Sequence, residues 1–252
     1  MKILAVYNLK GGVGKTSTAV NIAYLASQAG FKTLLWDLDP QGASSWYFEA
    51  EHSGRIKGRK ILKQELPLCK LIQKTSYSNL SIIPADISFG QFDAQLEKMD
   101  KNLRLSKILA PFQDNYSLLI LDCPPGLTRL TENMFYAMDA VLLPMIPTWL
   151  SLRSYDQLRL FLNEKKLSHK QIYPFFSMVD YRKKLHQEWL KIPPAQIKRL
   201  LQSYISYSSI VERMGEHKLP VELFADHTAV AASYRSLWKE IKLKLKLKAV
   251  LF

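Results

Sequence analysis

Lys10-Gly11-Gly12-Val13-Gly14-Lys15-Thr16-Ser17 is the stretch on which the reading of this chain turns. An apolar run, Lys2–Tyr7, enters it as a strand, and a helical pattern leaves it from Lys15 to about Ala29, with Gly30 placed as a C-cap. Glycines at 11, 12 and 14 let successive backbone N–H groups curl around phosphate oxygens, and the start of the helix adds its partial positive charge. The ordinary GxxxxGK[ST] frame requires a glycine at position 9, which is Leu9 here, and a lysine, Lys10, stands where that frame has none. The segment is therefore a variant phosphate loop. In it Gly11, Gly12, Val13, Gly14, Lys15, Thr16 and Ser17 wrap the phosphates, Lys15 bridges the outer ones, and the Thr16 hydroxyl is placed for Mg²⁺.

Working outward, short apolar runs recur at Lys32–Trp36, Asn79–Pro84, Ser117–Leu121, Asp139–Leu143 and Ile172–Val179, with helical patterns at Gln91–Leu109, Leu152–Glu164 and His186–Gln202. Glu51–Lys63 is basic and suits an exposed loop feeding a short helix. Strands alternating with helices predict an α/β fold: a single-domain P-loop NTPase with a mostly parallel twisted sheet and helices on both faces, covering residues 1–252. Two more motifs then fall on the edge of that sheet where the phosphate loop lies. Asp37-Leu38-Asp39-Pro40-Gln41-Gly42 closes the second strand, and Leu118–Leu121 delivers Asp122, followed by Cys123-Pro124-Pro125. A carboxylate at such a strand end is suited to a magnesium ion beside a triphosphate.

The 252 residues hold 35 Lys+Arg against 22 Asp+Glu, a formal net charge of +13, with 48% hydrophobic and 23% charged residues. That composition excludes disorder and collagen-like or coiled-coil repeats. Two cysteines, Cys69 and Cys123, make neither a disulfide framework nor a four-ligand zinc site and suit a reducing cytoplasm. The longest apolar candidate for a membrane span, Ala140–Leu152, is short and carries Pro144 and Pro147, and the N-terminal run is strand-sized, so a soluble protein is expected. The excess charge calls for an anionic partner, nucleic acid or membrane. It concentrates late: Arg182, Lys183, Lys184, Lys198, Arg199, Arg213, Lys218, Arg235, Lys239, Lys242, Lys244, Lys246 and Lys248. Phosphate contacts alone suffice for non-specific DNA binding, and no base-reading helix is evident. The tail at about 241–252 alternates lysine and leucine, which as a strand would be amphipathic and as a helix would scatter its leucines. Packing or a basic tail is expected there ahead of membrane contact.

At these residues the sequence resembles the ParA family of deviant-Walker partition ATPases, within the wider group that includes MinD. The likeness runs through KGGVGKTSTAVNIA, LLWDLDPQGASS, NLSIIPA, LLILDCPPG, FFSMVDYRKKLHQE and YRSLWKEI. The resemblance implies MgATP as the bound nucleotide and slow, partner-stimulated hydrolysis. It implies a homodimer that sandwiches two ATP molecules, with Lys10 as the signature lysine reaching the other subunit's phosphates and Gly11 at the closest approach. It assigns water activation to Asp39, Mg²⁺ to Thr16, Asp39 and Asp122, and the adenine side to Asp180 and Arg182. It implies non-specific DNA, a ParB-like or other cargo adaptor, and a cytoplasmic, nucleoid-associated location. Many members carry Ile-Pro-Arg where this chain has Ile205-Ser206-Tyr207. The alternatives are a MinD-like membrane switch, a metabolic P-loop enzyme, in which Lys10 has no purpose, and a site-specific DNA-binding repressor.

Overall fold

The computed structural model describes residues 1–50, 58–98, 105–167 and 171–247. Its strands are β1 (Lys2–Val6), β2 (Thr33–Asp37), β3 (Gln73–Lys74), β4 (Leu80–Ile83), β5 (Leu118–Asp122), β6 (Ala140–Met145) and β7 (Ile172–Phe176). They form one sheet in the order β3-β4-β2-β5-β1-β6-β7, parallel except for the edge pair β3 and β4. The expected α/β fold is present. The two-residue β3 has too few residues to show an alternation and escapes the sequence reading.

The first half contributes helices α1 (Lys15–Gln28), α2 (Ala43–Tyr47), α3 (Gly58–Leu62), α4 (Phe92–Glu97), α5 (Leu105–Leu109) and α6 (Arg129–Ala137). The second contributes α7 (Trp149–Glu164), α8 (Lys184–Lys191), α9 (Ser209–Glu212), α10 (Met214–His217), α11 (Val221–Phe224) and α12 (Ala229–Lys244). Central strands β2, β5 and β6 are buried at every position because both sheet faces are covered. On one face α1 and α12 pack against Leu4, Leu35 and Ile120. On the other, Ala5, Trp36 and Leu121 share a core with α4 to α8, which contribute Phe92, Leu130, Leu152 and Trp189 among others. Register places the site: Asp122 pairs with Val6 on one side and Asp37 on the other, so both carboxylates and the start of the phosphate loop share one sheet edge.

Two expectations are corrected. Helix α8 stops at Lys191 instead of running to Gln202, because Pro193-Pro194 follow, and a residue before proline is driven out of the helical region. The chain beyond runs beside β7, where Leu201 N–H donates to the Pro174 carbonyl and Ile205 N–H to that of Phe176. The single helix expected over Gln91–Leu109 is instead α4 and α5, with residues 99–104 outside the described ones. Of the two forms open to the alternating tail, its described part takes the helical one: α12 extends through Lys244, burying Ile241 and Leu245 four residues apart and leaving Leu243 in solvent. Residues 51–57 of the basic loop and 248–252 of the tail, with Lys248, lie outside the described residues. Among the described residues no helix is long and apolar enough to cross a membrane.

Candidate nucleotide site

The loop after β1 is pinned from below. Asn8 donates from Nδ2 to the Pro144 carbonyl at 2.6 Å, tying β1 to β6, and its Oδ1 accepts from Lys10 N–H at 2.9 Å. Gly12 and Gly14 have φ of +68° and +87°, left-handed values that strain any residue with a Cβ. Gly14 is also the N-cap of α1 and offers no side chain to its first turn, so those N–H groups are left to a ligand. Lys15 is buried, and its Nζ donates to the Lys10 carbonyl at 2.9 Å. Burial lowers its pKa, opposed by the carboxylates of Asp122 and Asp39, which favour the ammonium. Val13 packs inward and gives the loop only its backbone.

Three aspartates follow from the ends of β2 and β5 at this edge and do different things. Asp37 is buried, with Oδ2 accepting from the N–H and hydroxyl of Ser45 at 2.9 and 2.8 Å. It fastens α2 to the end of β2, and Ser45 Oγ in turn accepts from Ala85 N–H. Asp122 is buried beneath the loop, its Oδ2 accepting from Ser44 Oγ at 2.6 Å, while its Oδ1 has no hydrogen-bond partner among the described residues. Asp39 is half-buried and lines the open cleft, with Oδ1 accepting from Gln41 N–H at 3.0 Å. Burial pushes the Asp122 carboxyl up to about 7, Asp37 adding to the rise while the Ser44 and Thr16 hydroxyls oppose it. Asp37 is raised as well, by the same desolvation.

The cleft has a volume of about 680 Å³ and is lined by the loop (Gly11, Gly12, Gly14 to Ser17), the β2 end (Asp39, Pro40, Gln41), Ala43 and Tyr47 of α2, Pro124 and Pro125, and Val211 and Glu212. A narrower cavity continues from Gly14 and Ser17 toward Met178, Ser206, Tyr207 and Tyr234. This arrangement suits a triphosphate along the loop and a nucleoside toward α9. A divalent cation fits the donor set on one observation: a buried carboxylate oxygen, Asp122 Oδ1, lacks a partner next to the Thr16 hydroxyl. Thr16, Asp39 and Asp122 are the residues that would hold it.

Asp180 and Arg182 are not in this cleft. They pair with each other at 2.9 Å and line a neighbouring cavity with Lys183 and His186, joined to the narrow cavity through Met178 and Tyr207. Tyr207 donates its hydroxyl to Glu212 at 3.0 Å. Lys10 is absent from its own chain's cleft, and its ammonium has no hydrogen-bond or ion-pair partner among the described residues. Gly11 is exposed, and a Cβ built there meets nothing within 4 Å. Sequence reasoning missed Ser44, Ser45, Tyr47, Val211 and Glu212. The serines follow the Asp37–Gly42 motif directly, whereas Val211 and Glu212 carry no local pattern.

The Asp122 carboxyl yields a pH-dependent expectation. Its folded pKa lies above the unfolded value of about 3.9, so its contribution is intact below about pH 4 and is lost as pH rises through about 7. Without nucleotide, the Tm of the wild type falls from about pH 5 to about pH 8, and Asp122→Asn flattens that slope. Thermal scans at both pH values check this.

Residues 1–173 match a family described as AAA domain. Over 252 aligned residues the chain is 32% identical to the chromosome-partitioning ATPase Soj of Treponema pallidum, covering 95% of this chain and 96% of that one. In structure it is similar to an aspartate-to-alanine variant of Cyanothece McdA in complex with ATP, with a TM-score of 0.83, 19% identity and coverage of 100% and 99%. It is also similar to cobyrinic acid a,c-diamide synthase from Mycobacterium smegmatis, solved with an ATP analogue and magnesium, with a TM-score of 0.80, 22% identity and coverage of 98% and 96%. The two structural likenesses show the fold alone, and one is to a biosynthetic enzyme.

Proposed function

This chain belongs to the ParA family of P-loop ATPases, and from that membership we propose a partitioning ATPase that binds MgATP, closes into a homodimer over two nucleotides, coats DNA without sequence preference and is discharged by hydrolysis. Cargo comes through a ParB-like or other adaptor protein on the nucleoid. One observation carries the reading: the loop offers an ammonium, Lys10, that lies outside its own chain's cleft and has no partner among the described residues, beside an exposed glycine, Gly11, with open space where a Cβ would stand. A metabolic enzyme working as a monomer has no need of that ammonium. In the closed dimer each copy's Lys10 lends its charge to the other's phosphates, and Gly11 allows the two backbones to meet.

Within each protomer, Lys15 binds the outer phosphates after leaving the Lys10 carbonyl, and the first-turn N–H groups of α1 hold the rest. Asp39, facing the cleft, accepts a hydrogen bond from the attacking water and orients it. Pro124 and Pro125 wall the cleft from the β5 side and exclude bulk water there. Bound Mg²⁺ supplies charge neutralisation on the phosphate oxygens. Because the cation and phosphates are held from both copies, the dimer lasts while the triphosphate does.

Ion pairing sorts the basic residues that could meet DNA. Arg182, Arg213, Lys218 and Arg235 are ion-paired to Asp180, Glu216, Glu49 and Glu222, and Lys184 lies 3.9 Å from Glu188. Lys242 lies over the Phe31 ring. Lys183, Lys198, Lys239, Lys244 and Lys246 are exposed and have no acidic partner among the described residues, which favours them for phosphodiester contacts.

Retention on DNA with ATP, with ADP and without nucleotide, across a salt series, tests the proposal. Retention is expected with ATP alone, falling steeply with salt by about 0.9 in log K per log salt for each phosphate contacted. Gly11→Val is the paired control. With open space around its Cβ the variant folds and binds ATP as wild type does, yet stays monomeric and loses DNA retention. Equal retention in all three nucleotide states, or a footprint at one defined site, overturns the proposal.

A further inference from the structure

The edge that carries the phosphate loop also carries two uncovered apolar side chains. Trp149 and Leu150 open α7, shortly after β6, and are 63% and 64% exposed. Strand β6 pairs with β1, and the Asn8–Pro144 hydrogen bond ties the ends of the two strands, so this first turn lies one strand from Lys10 and Gly11. Trp149 is not a loose side chain. Its indole packs edge-on against Trp189 at 5.4 Å, and Trp189, itself buried, packs against Phe176 of β7. The turn is fixed as well, since the Thr148 side chain caps α7 by accepting from Ser151 N–H. A large aromatic held in place before binding loses little conformational entropy when it is covered, which is the physical profile of an interface anchor.

We infer that Trp149 and Leu150 form the apolar anchor of the interface between two copies of this chain, beside the loop where Lys10 and Gly11 meet the other copy. The inference rests on the dimer proposed above and adds the source of its cohesion. The polar part of that interface consists of cations and phosphates, which fix register and make closure depend on nucleotide but yield little net binding once desolvated. Burying an indole and a leucine on each side supplies the hydrophobic component that such an interface otherwise lacks. The occupant is a second copy because of position. The pair stands at the same sheet edge as the open glycine and the Lys10 ammonium, one strand away, and a two-fold interface presents the same patch from both sides, so the anchor is supplied twice.

The test is sedimentation velocity with Mg²⁺ and a non-hydrolysable ATP analogue at saturation, on wild type, Trp149→Ala, Leu150→Ser and Trp149→Phe. Analogue affinity at protein concentrations below dimerisation and Tm without nucleotide are measured alongside. The expected result is a dimer dissociation constant weakened by about tenfold or more in Trp149→Ala and Leu150→Ser, with analogue affinity unchanged and partial rescue by Trp149→Phe. Leu150 is exposed and makes no ring contact with the core, so Leu150→Ser keeps the test decisive if Trp149→Ala destabilises the fold. Dimers as tight as wild type in both variants overturn this inference and leave the dimer proposal standing. A wild type that stays monomeric with the analogue overturns the dimer and the anchor together.

Discussion

Lys15→Ala loses ATP binding by about 100-fold or more while its circular dichroism spectrum stays native. Lys15 is held at the floor of the loop, largely out of water, with the carboxylates of Asp122 and Asp39 stabilising its ammonium. It lines the cleft, and no other cation among the described residues does. Hydrogen bonds to charged groups contribute about 1.5–3 kcal/mol each, and every ~1.4 kcal/mol is tenfold in affinity, so two such bonds to phosphate account for the expected loss. The variant also removes one positive charge from between the triphosphate and the carboxylates of Asp39 and Asp122, which deepens the effect. Titration with a fluorescent ATP analogue measures it. Affinity within about threefold of wild type would remove Lys15 from its place on the phosphates.

Asp39→Ala binds ATP and still dimerises, but its turnover falls by about 10²–10⁴-fold, the range for losing a positioned acceptor of the water's proton. The distinction between Asp39 and Asp37 makes this prediction specific. Both lie in the same short motif, but Asp37 spends its carboxylate on Ser45 and on the backbone of Asp39, whereas Asp39 faces the cleft. Asp37→Ala should therefore lower Tm, because α2 and Ala85 lose their shared fastening, whereas Asp39→Ala should leave Tm near wild type. Single-turnover hydrolysis and sizing with ATP check the pair. Wild-type turnover by Asp39→Ala would exclude it from positioning water.

Much of this molecule was legible in one dimension. The strand–glycine loop–helix unit was legible because backbone geometry at Gly12 and Gly14 admits hardly any other residue and because β1 and α1 are continuous with the loop. Continuous apolar runs marked β2, β4, β5, β6 and β7, since a parallel sheet buried on both faces leaves no alternation to misread. The extent of α8 was misjudged because its apolar spacing continues past Pro193-Pro194, and the form of the tail stayed open because two periods overlap in a Lys-Leu repeat.

Composition and motif order thus determined the fold class and the residues of the phosphate loop, for these depend on local backbone geometry and on side chains adjacent in the chain. Tertiary structure alone decided which aspartate faces the cleft, which carboxylate oxygen lacks a partner, and that Val211 and Glu212 close a site begun at Gly11. It alone showed that Arg182, Arg213 and Arg235 are already paired and that Trp149 stands uncovered at the start of α7. Those properties depend on packing between segments far apart in sequence, and no local pattern encodes the direction in which a side chain is turned or what shields it from water.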